Sequence, residues 1–217
     1  MDTPKPLPVL DATELRVLGA LMEKSRTTPE YYPMSLNGLT AACNQKSSRK
    51  PVVQYDEATV AIALNSLKRR GLISTATGSG IRAVKYKHNF AIVFPVVPAE
   101  VAVICLLMLR GPQTPGEINT NSGRLYEFET LEEVQNVLEK LATDEPAYVV
   151  QLPRRAGQKE VRFAHLLSGT PDVNEIEDEP SIRSSGNSEL EARVVTLETE
   201  LAELKEVVAG LMRELGV

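Results

Sequence analysis

The chain has no tryptophan, two histidines, two cysteines, and only 5% aromatic residues among its 217. A zinc site gathers four Cys, His, Asp or Glu ligands at close spacing, and His88, His165, Cys43 and Cys105 are too dispersed to supply one. The cysteines lie 62 residues apart inside apolar helical patterns with no C-x-x-C, so they read as buried small hydrophobes of a reducing compartment. Phosphate-loop, dinucleotide, nucleophile-elbow and zincin motifs are absent from the sequence. Gly78-Ser79-Gly80 joins two expected strands and opens no helix, which makes it a hairpin tip. The acidic run from Glu175 to Glu179 falls in a presumed linker, where no acid/base pair could be held. The expectation is a non-enzymatic protein without metal or cofactor.

Membrane signals are also missing. No basic region followed by an apolar one opens the sequence, so no signal peptide is expected. Residues 91–109 carry a single charge, but Pro95 and Pro98 forbid a continuous helix before Ala99, leaving 11 residues of core-helix length. The expected location is the cytoplasm.

With 42% hydrophobic and 24% charged residues, the composition is that of a soluble globular chain and excludes collagen, a disulfide scaffold and wholesale disorder. The net charge of −5 conceals an asymmetry: residues 1–95 carry +6, residues 96–170 carry −3 and residues 171–217 carry −8. A polyanionic partner would meet the first segment.

Helix signals recur in one order. Asp11-Ala12-Thr13-Glu14 has the form of a capping box before the apolar face Leu15, Leu18, Leu21 and Met22. A short helix is expected from Ser35, with Leu36, Leu39 and Ala42 inward. A third, from Asp56 to Arg70, buries Val60, Leu64 and Leu67 and ends at Gly71, where a left-handed cap is needed. A hairpin follows, Leu72 to Thr75 and Arg82 to His88. After the Pro95/Pro98 segment the series repeats. Glu100, Ile104, Leu107 and Met108 answer Glu14, Leu18, Leu21 and Met22. Thr114-Pro115-Gly116-Glu117 is a second capping box. Thr130-Leu131-Glu132-Glu133 opens a helix whose Val134, Leu138 and Leu141 match Val60, Leu64 and Leu67 at a constant offset of 74. Another hairpin runs from Tyr148-Val149-Val150 through Arg154-Arg155-Ala156-Gly157 to His165. His88 and His165 stand at equivalent strand ends and read as structural. Helix, helix, helix and hairpin twice over predict an α+β, mainly α fold. Two tandem winged-helix domains, 1–95 and 96–168, precede a flexible acidic linker at 169–188 and a coiled coil at 189–216.

The coiled coil rests on Leu190, Val194, Leu197, Leu201, Leu204, Val208, Leu211 and Leu215, spaced alternately by four and three. Valine at a and leucine at d favour two strands. Parallel pairing would set Arg193 against Glu198 and Glu200 against Lys205, so a homodimer is expected.

Several strings carry a resemblance to a known family: Thr27-Thr28-Pro29-Glu30 with Tyr32-Pro33, Ala42-Cys43-Asn44-Gln45-Lys46, Leu109-Arg110-Gly111-Pro112-Gln113-Thr114-Pro115-Gly116-Glu117, Tyr126-Glu127-Phe128, and Ala164-His165-Leu166-Leu167-Ser168-Gly169. On these the chain resembles the YceH-like family of uncharacterised bacterial proteins over residues 10–169. The resemblance implies a tandem winged-helix fold in a cytoplasmic bacterial protein and no particular activity. Its members look to carry two arginines where this chain has Asn119 and Asn121, so no phosphate contact is carried over to that short helix.

For a nucleic-acid reading, the third helix would enter a major groove while cations hold phosphates. With Val60, Leu64 and Leu67 inward, Tyr55, Ala58, Thr59, Ile62, Asn65, Ser66 and Arg69 project outward. Asn65 and Arg69 are base-reading types; Ala58 and Ile62 suit a thymine methyl weakly and a protein partner well. Lys46, Arg49, Lys50, Lys68, Arg70, Arg82, Lys85 and Lys87 surround them as candidate contacts to double-stranded DNA. The equivalent face of the second repeat carries Glu132, Glu133, Asn136, Glu139 and Thr143, which repels phosphate and is free for a protein partner. The sequence thus leaves two readings: a transcription-regulator-like DNA-binding dimer, or an interaction scaffold resembling the tandem winged-helix accessory subunits of chromosome-organising complexes.

Overall fold

A computed structural model describes residues 6–76, 84–154, 160–171 and 196 of the chain. The Gly78-Ser79-Gly80 tip, Arg82, the turn residues 155–157, linker residues 172–188 and all eight heptad positions from 190 to 215 lie outside the described residues. Among the described residues the fold is α+β and mainly helical, with seven α-helices and two small antiparallel sheets.

Helix α1 (Ala12–Thr27) starts where the capping box closes. Asp11 accepts the N–H groups of Thr13 and Glu14 at 2.8 Å each, and the Glu14 carboxylate accepts that of Asp11 at 3.0 Å. After a 3-10 turn at Pro29–Tyr31 come β1 (Met34–Ser35), α2 (Leu36–Cys43) and α3 (Glu57–Arg69). Ser35 and Asp56 cap the two helices. Gly71, at φ +77°, ends the third in the left-handed conformation that a side chain would strain. Strands β2 (Ile73–Ala76) and β3 (Lys85–His88) complete a sheet of order β1-β3-β2, with Met34 and Thr75 on either side of Tyr86.

The same order then returns. Beyond a four-residue helix α4 (Phe90–Val93) lie α5 (Pro98–Arg110), α6 (Pro115–Ser122), α7 (Leu131–Thr143), β4 (Val149–Gln151) and β5 (Phe163–His165). The Thr114/Glu117 box closes at both bonds. Helix α7 opens at Thr130 without a reciprocal box. Thr130 Oγ1 accepts the Glu133 N–H, but the Glu133 carboxylate is drawn to the Tyr126 hydroxyl at 3.1 Å and the Glu129 N–H at 3.0 Å. In the second sheet the counterpart of β1 has shrunk to one residue: Gln113 and Phe163 exchange two backbone hydrogen bonds at 3.1 and 2.9 Å, on the edge of β5 away from β4. Val60, Leu64 and Leu67 and their counterparts Val134, Leu138 and Leu141 are all fully buried, as the 74-residue offset requires.

Helix α1 departs from the single apolar face expected of it. Every residue from Glu14 to Met22 is buried, and so is every residue of α5 from Ala99 to Leu109. A helix buried all round needs neighbours on all sides. For α1 these include α5 as well as α2 and α3. The approach of α1 to α5 is close: a Cβ on Gly19 would stand 2.9 Å from Leu109 Cδ2, and the Cys105 thiol donates to the Gly19 carbonyl at 3.4 Å. The proline-containing segment is itself packed. Phe90, Phe94 and Val96 are buried, the Phe94 ring meeting Phe90 at 5.0 Å and the edge of Tyr148 at 5.9 Å. One hydrophobic cluster therefore runs through both repeats, and the Leu10 N–H donates to the Leu167 carbonyl at 2.7 Å, tying the end of the second to the start of the first.

Both histidines are held neutral. The Phe90 N–H donates to His88 Nδ1 at 3.3 Å, leaving Nε2–H to face Ser25 Oγ at 3.1 Å. His165 Nδ1 is enclosed without a partner. Burial, with the charge of Arg26 adding to it, lowers the His88 imidazole to about 4, and burial alone lowers His165 to about 4. Between the unperturbed value of about 6.5 and 4, the unfolded chain takes up protons that the folded one refuses. Stability should therefore hold above pH 6.5 and fall as the pH drops toward 4. In thermal melts across that window, a His165→Phe variant should lose part of the slope; an unchanged slope would show that His165 does not contribute.

Candidate nucleic-acid interface

Helix α3 presents an exposed stripe of Ala58, Ile62, Asn65 and Arg69, with Lys68 beside it, while Thr59, Ser66 and Tyr55 are half-buried. Four of the seven positions that the periodicity turns outward are thus exposed, and the other three are half-buried. Lys46 and Lys50 are exposed on the loop before α3, Lys87 is exposed on β3, and Lys85 is half-buried there. Asn65, Lys68 and Arg69 share the last two turns of α3, and Lys85 and Lys87 share the adjoining hairpin.

The loop of residues 44–56 is fastened at several points. Asn44 clamps its two ends, its amide donating to the Tyr55 carbonyl and its oxygen accepting the Tyr55 N–H, both at 2.8 Å. Arg16, projecting from α1, donates to the carbonyls of Cys43 at 3.1 Å and Pro51 at 2.6 Å. Burial, with Arg49 nearby, lowers the Arg16 guanidinium from its usual value. From the second repeat, the Leu109 carbonyl accepts the Lys50 N–H at 2.8 Å. Arg110 bridges Ser48 Oγ and Asn121 Oδ1, at 2.8 Å each. Asn121 therefore has an internal duty, donating in turn to Gln113.

Two of the cations proposed from sequence do internal work. Arg49 is no phosphate contact. Its side chain is fully enclosed, makes a two-pronged pair with Glu23 at 3.0 and 2.6 Å, and donates to the Ala42 carbonyl. Arg70, partly exposed, leans on the buried Glu14 carboxylate at 3.4 Å. The second repeat places a matching pair, Lys140 on the buried Glu100 at 2.7 Å. In both, a cation from the end of the third helix neutralises a buried glutamate on the first. The positions that sequence reasoning passed over are Arg16, Asn44 and Arg110. Arg16 falls on the side of α1 opposite Leu15, Leu18, Leu21 and Met22, where a cation reads as solvent-facing, and Asn44 lay unassigned within the Ala42 to Lys46 string.

On α7, Glu132, Asn136, Glu139 and Thr143 are exposed at the positions corresponding to the α3 stripe, and Glu133 is held by Tyr126. The two third helices thus present opposite surfaces, one cationic with amide and apolar groups, the other acidic. Among the described residues no three His, Cys, Asp or Glu side chains form a group that could hold a metal, and no helix is long and apolar enough to cross a membrane.

The fold and surface define a mainly helical α+β protein of two like halves, one of which carries a basic helix face. The chain belongs to the family described as "Protein of unknown function, DUF480", whose profile matches residues 10–158. It is 51% identical over 177 residues to a "UPF0502 protein" of Opitutus terrae, covering 81% of this chain and 77% of that one. It is 49% identical to a "UPF0502 protein" of Shewanella loihica, covering 94% of this chain and 98% of that one. "UPF0502 protein PC1_1804" of Pectobacterium carotovorum is 45% identical with the same coverage. These matches extend over both halves.

The two kinds of arginine separate in experiment. Arg49→Ala should destabilise the fold by about 3 kcal/mol, because it strands the Glu23 charge and the Ala42 carbonyl. Lys68→Ala and Arg69→Ala, on the open surface, should each stay within about 0.5 kcal/mol of the parent. Urea denaturation of the three variants checks both; equal effects would put Arg49 back on the surface.

Proposed function

We propose that this is a non-enzymatic tandem winged-helix protein that binds double-stranded DNA in the manner of a transcription regulator, with its first repeat on the DNA. The observation that carries this reading is the exposed end of α3, where Asn65, Lys68 and Arg69 stand together beside a hairpin bearing Lys85 and Lys87. The order α1, β1, α2, α3, β2, β3, with the sheet paired β1-β3-β2, supports a helix-turn-helix with an added hairpin, the pattern of a winged helix. In that arrangement α3 supplies base contacts and the loop and hairpin cations hold phosphates on either side. Lys46, Lys50, Lys68, Arg69 and Lys85 remain the proposed contacts. Arg82 joins them on its sequence alone, and Arg49 does not.

In this reading α7 stays off the DNA, because Glu132 and Glu139 would face phosphates. The same acidic surface supports a protein contact for the second repeat. Pairing of two chains through the heptads from Leu190 to Leu215 rests on their spacing and would place two α3 helices on one duplex.

The test is fluorescence anisotropy of the full-length protein with random-sequence duplexes over a range of salt. Affinity should fall with salt at a log-log slope of about 0.9 for each phosphate neutralised, and Lys68→Ala/Arg69→Ala together should lower that slope by about two. Glu132→Ala/Glu139→Ala should not weaken binding. Absence of binding at low salt would overturn the proposal.

A further inference from the structure

Ile62 is 72% exposed at the centre of the α3 stripe. It is the only large apolar side chain of α3 left in solvent among the described residues. A protein-docking face needs contiguous apolar surface. Along the stripe, by contrast, Ile62 is followed by Asn65 and Arg69, with Lys68 alongside and only the small Ala58 preceding it. One exposed large apolar group on the helix, with cations and an amide along the same stripe and Val52 and Val84 exposed on the flanking loop and hairpin, matches a different surface. The floor of the DNA major groove is polar except at one feature, the C5-methyl group of thymine.

We infer that Ile62 is a specificity-determining residue that packs on a thymine C5-methyl, so that the preferred site carries a thymine beside the base pair addressed by Asn65. This rests on the DNA-binding reading above and adds to it the identity of one base. Ile62 and Asn65 are separated by about 4.5 Å along the helix axis. A base-pair step is about 3.4 Å, so the two side chains address neighbouring pairs. Asn65 has the donor and acceptor that match adenine N6 and N7, and Arg69, one turn further, has the fork that matches guanine. The aliphatic side chain of Ile62 gains only where a methyl group replaces groove water.

The probe is a duplex that the full-length protein enriches from an unmethylated synthetic random pool, in which thymine alone carries the C5-methyl. Each thymine of that duplex is then replaced in turn by deoxyuridine, which removes the methyl and keeps every hydrogen-bonding group. The parent protein should lose about three- to fivefold in affinity at one or two positions, the worth of one buried methyl group. Ile62→Ala should bind the thymine and deoxyuridine duplexes alike at those positions. Ile62 lies in solvent, so the variant should keep the parent's melting temperature and its salt slope. If the parent binds the duplex with the expected salt dependence but ignores every deoxyuridine, or if Ile62→Ala keeps the preference for thymine, the inference is overturned and DNA binding stands. If no duplex is enriched or bound, DNA binding fails and the inference fails with it.

Discussion

The packing of α1 on α5 is the contact on which the rest of the arrangement depends. The helices approach closely at Gly19, where a Cβ would stand 2.9 Å from Leu109 Cδ2 and would require that side chain to shift. Valine there would have to displace the Leu109 side chain, an overpacking of the kind that costs about 1 to 3 kcal/mol in a close-packed interior. The contact also explains why two helices at the centre are buried on every side. With the remaining faces of α1 given to α2 and α3, a repeat-to-repeat surface is continuous with the core of each repeat.

That contact reaches the candidate interface through the loop before α3. Leu109 and Arg110, at the end of α5, hold Lys50 and Ser48 by hydrogen bonds, while Arg16 and Arg49 hold the same loop to the first repeat. The second repeat therefore helps to set where Lys46 and Lys50 stand relative to α3. Buried guanidinium groups are costly unless fully satisfied. Here their partners are the carbonyls of Ala42, Cys43, Ser48 and Pro51 and the Glu23 carboxylate, which fixes the loop at several points. The acidic α7 surface and the cationic α3 surface belong to one compact unit.

Much of the fold was legible because local signals and periodicity agreed. Asp11 with Glu14 and Thr114 with Glu117 mark helix starts by hydrogen-bond chemistry that acts within four residues. The triplets Val60, Leu64, Leu67 and Val134, Leu138, Leu141 mark the buried stripe that orients α3 and α7. What escaped depends on partners distant in sequence. Nothing near Arg49 announces that Glu23 will enclose it, and nothing near Arg70 announces Glu14. The apolar pattern of α1 gave its first face, while the second became visible only with Leu109 and Cys105 against Gly19. Phe90 and Phe94 sit in a segment whose prolines suggested a simple connection, and their burial follows from aromatic packing with Tyr148, more than fifty residues away.

The functional account asks two helices of the same rank to behave oppositely, and equivalent positions on them can be compared directly. Ala58 on α3 and Glu132 on α7 are related by the 74-residue offset, and both are exposed. The measurement that decides the matter is photocrosslinking of duplex DNA at physiological salt to full-length protein carrying p-benzoylphenylalanine at one position or the other. The account predicts adducts from position 58 and none from position 132. Adducts from position 132 in place of 58 would contradict it.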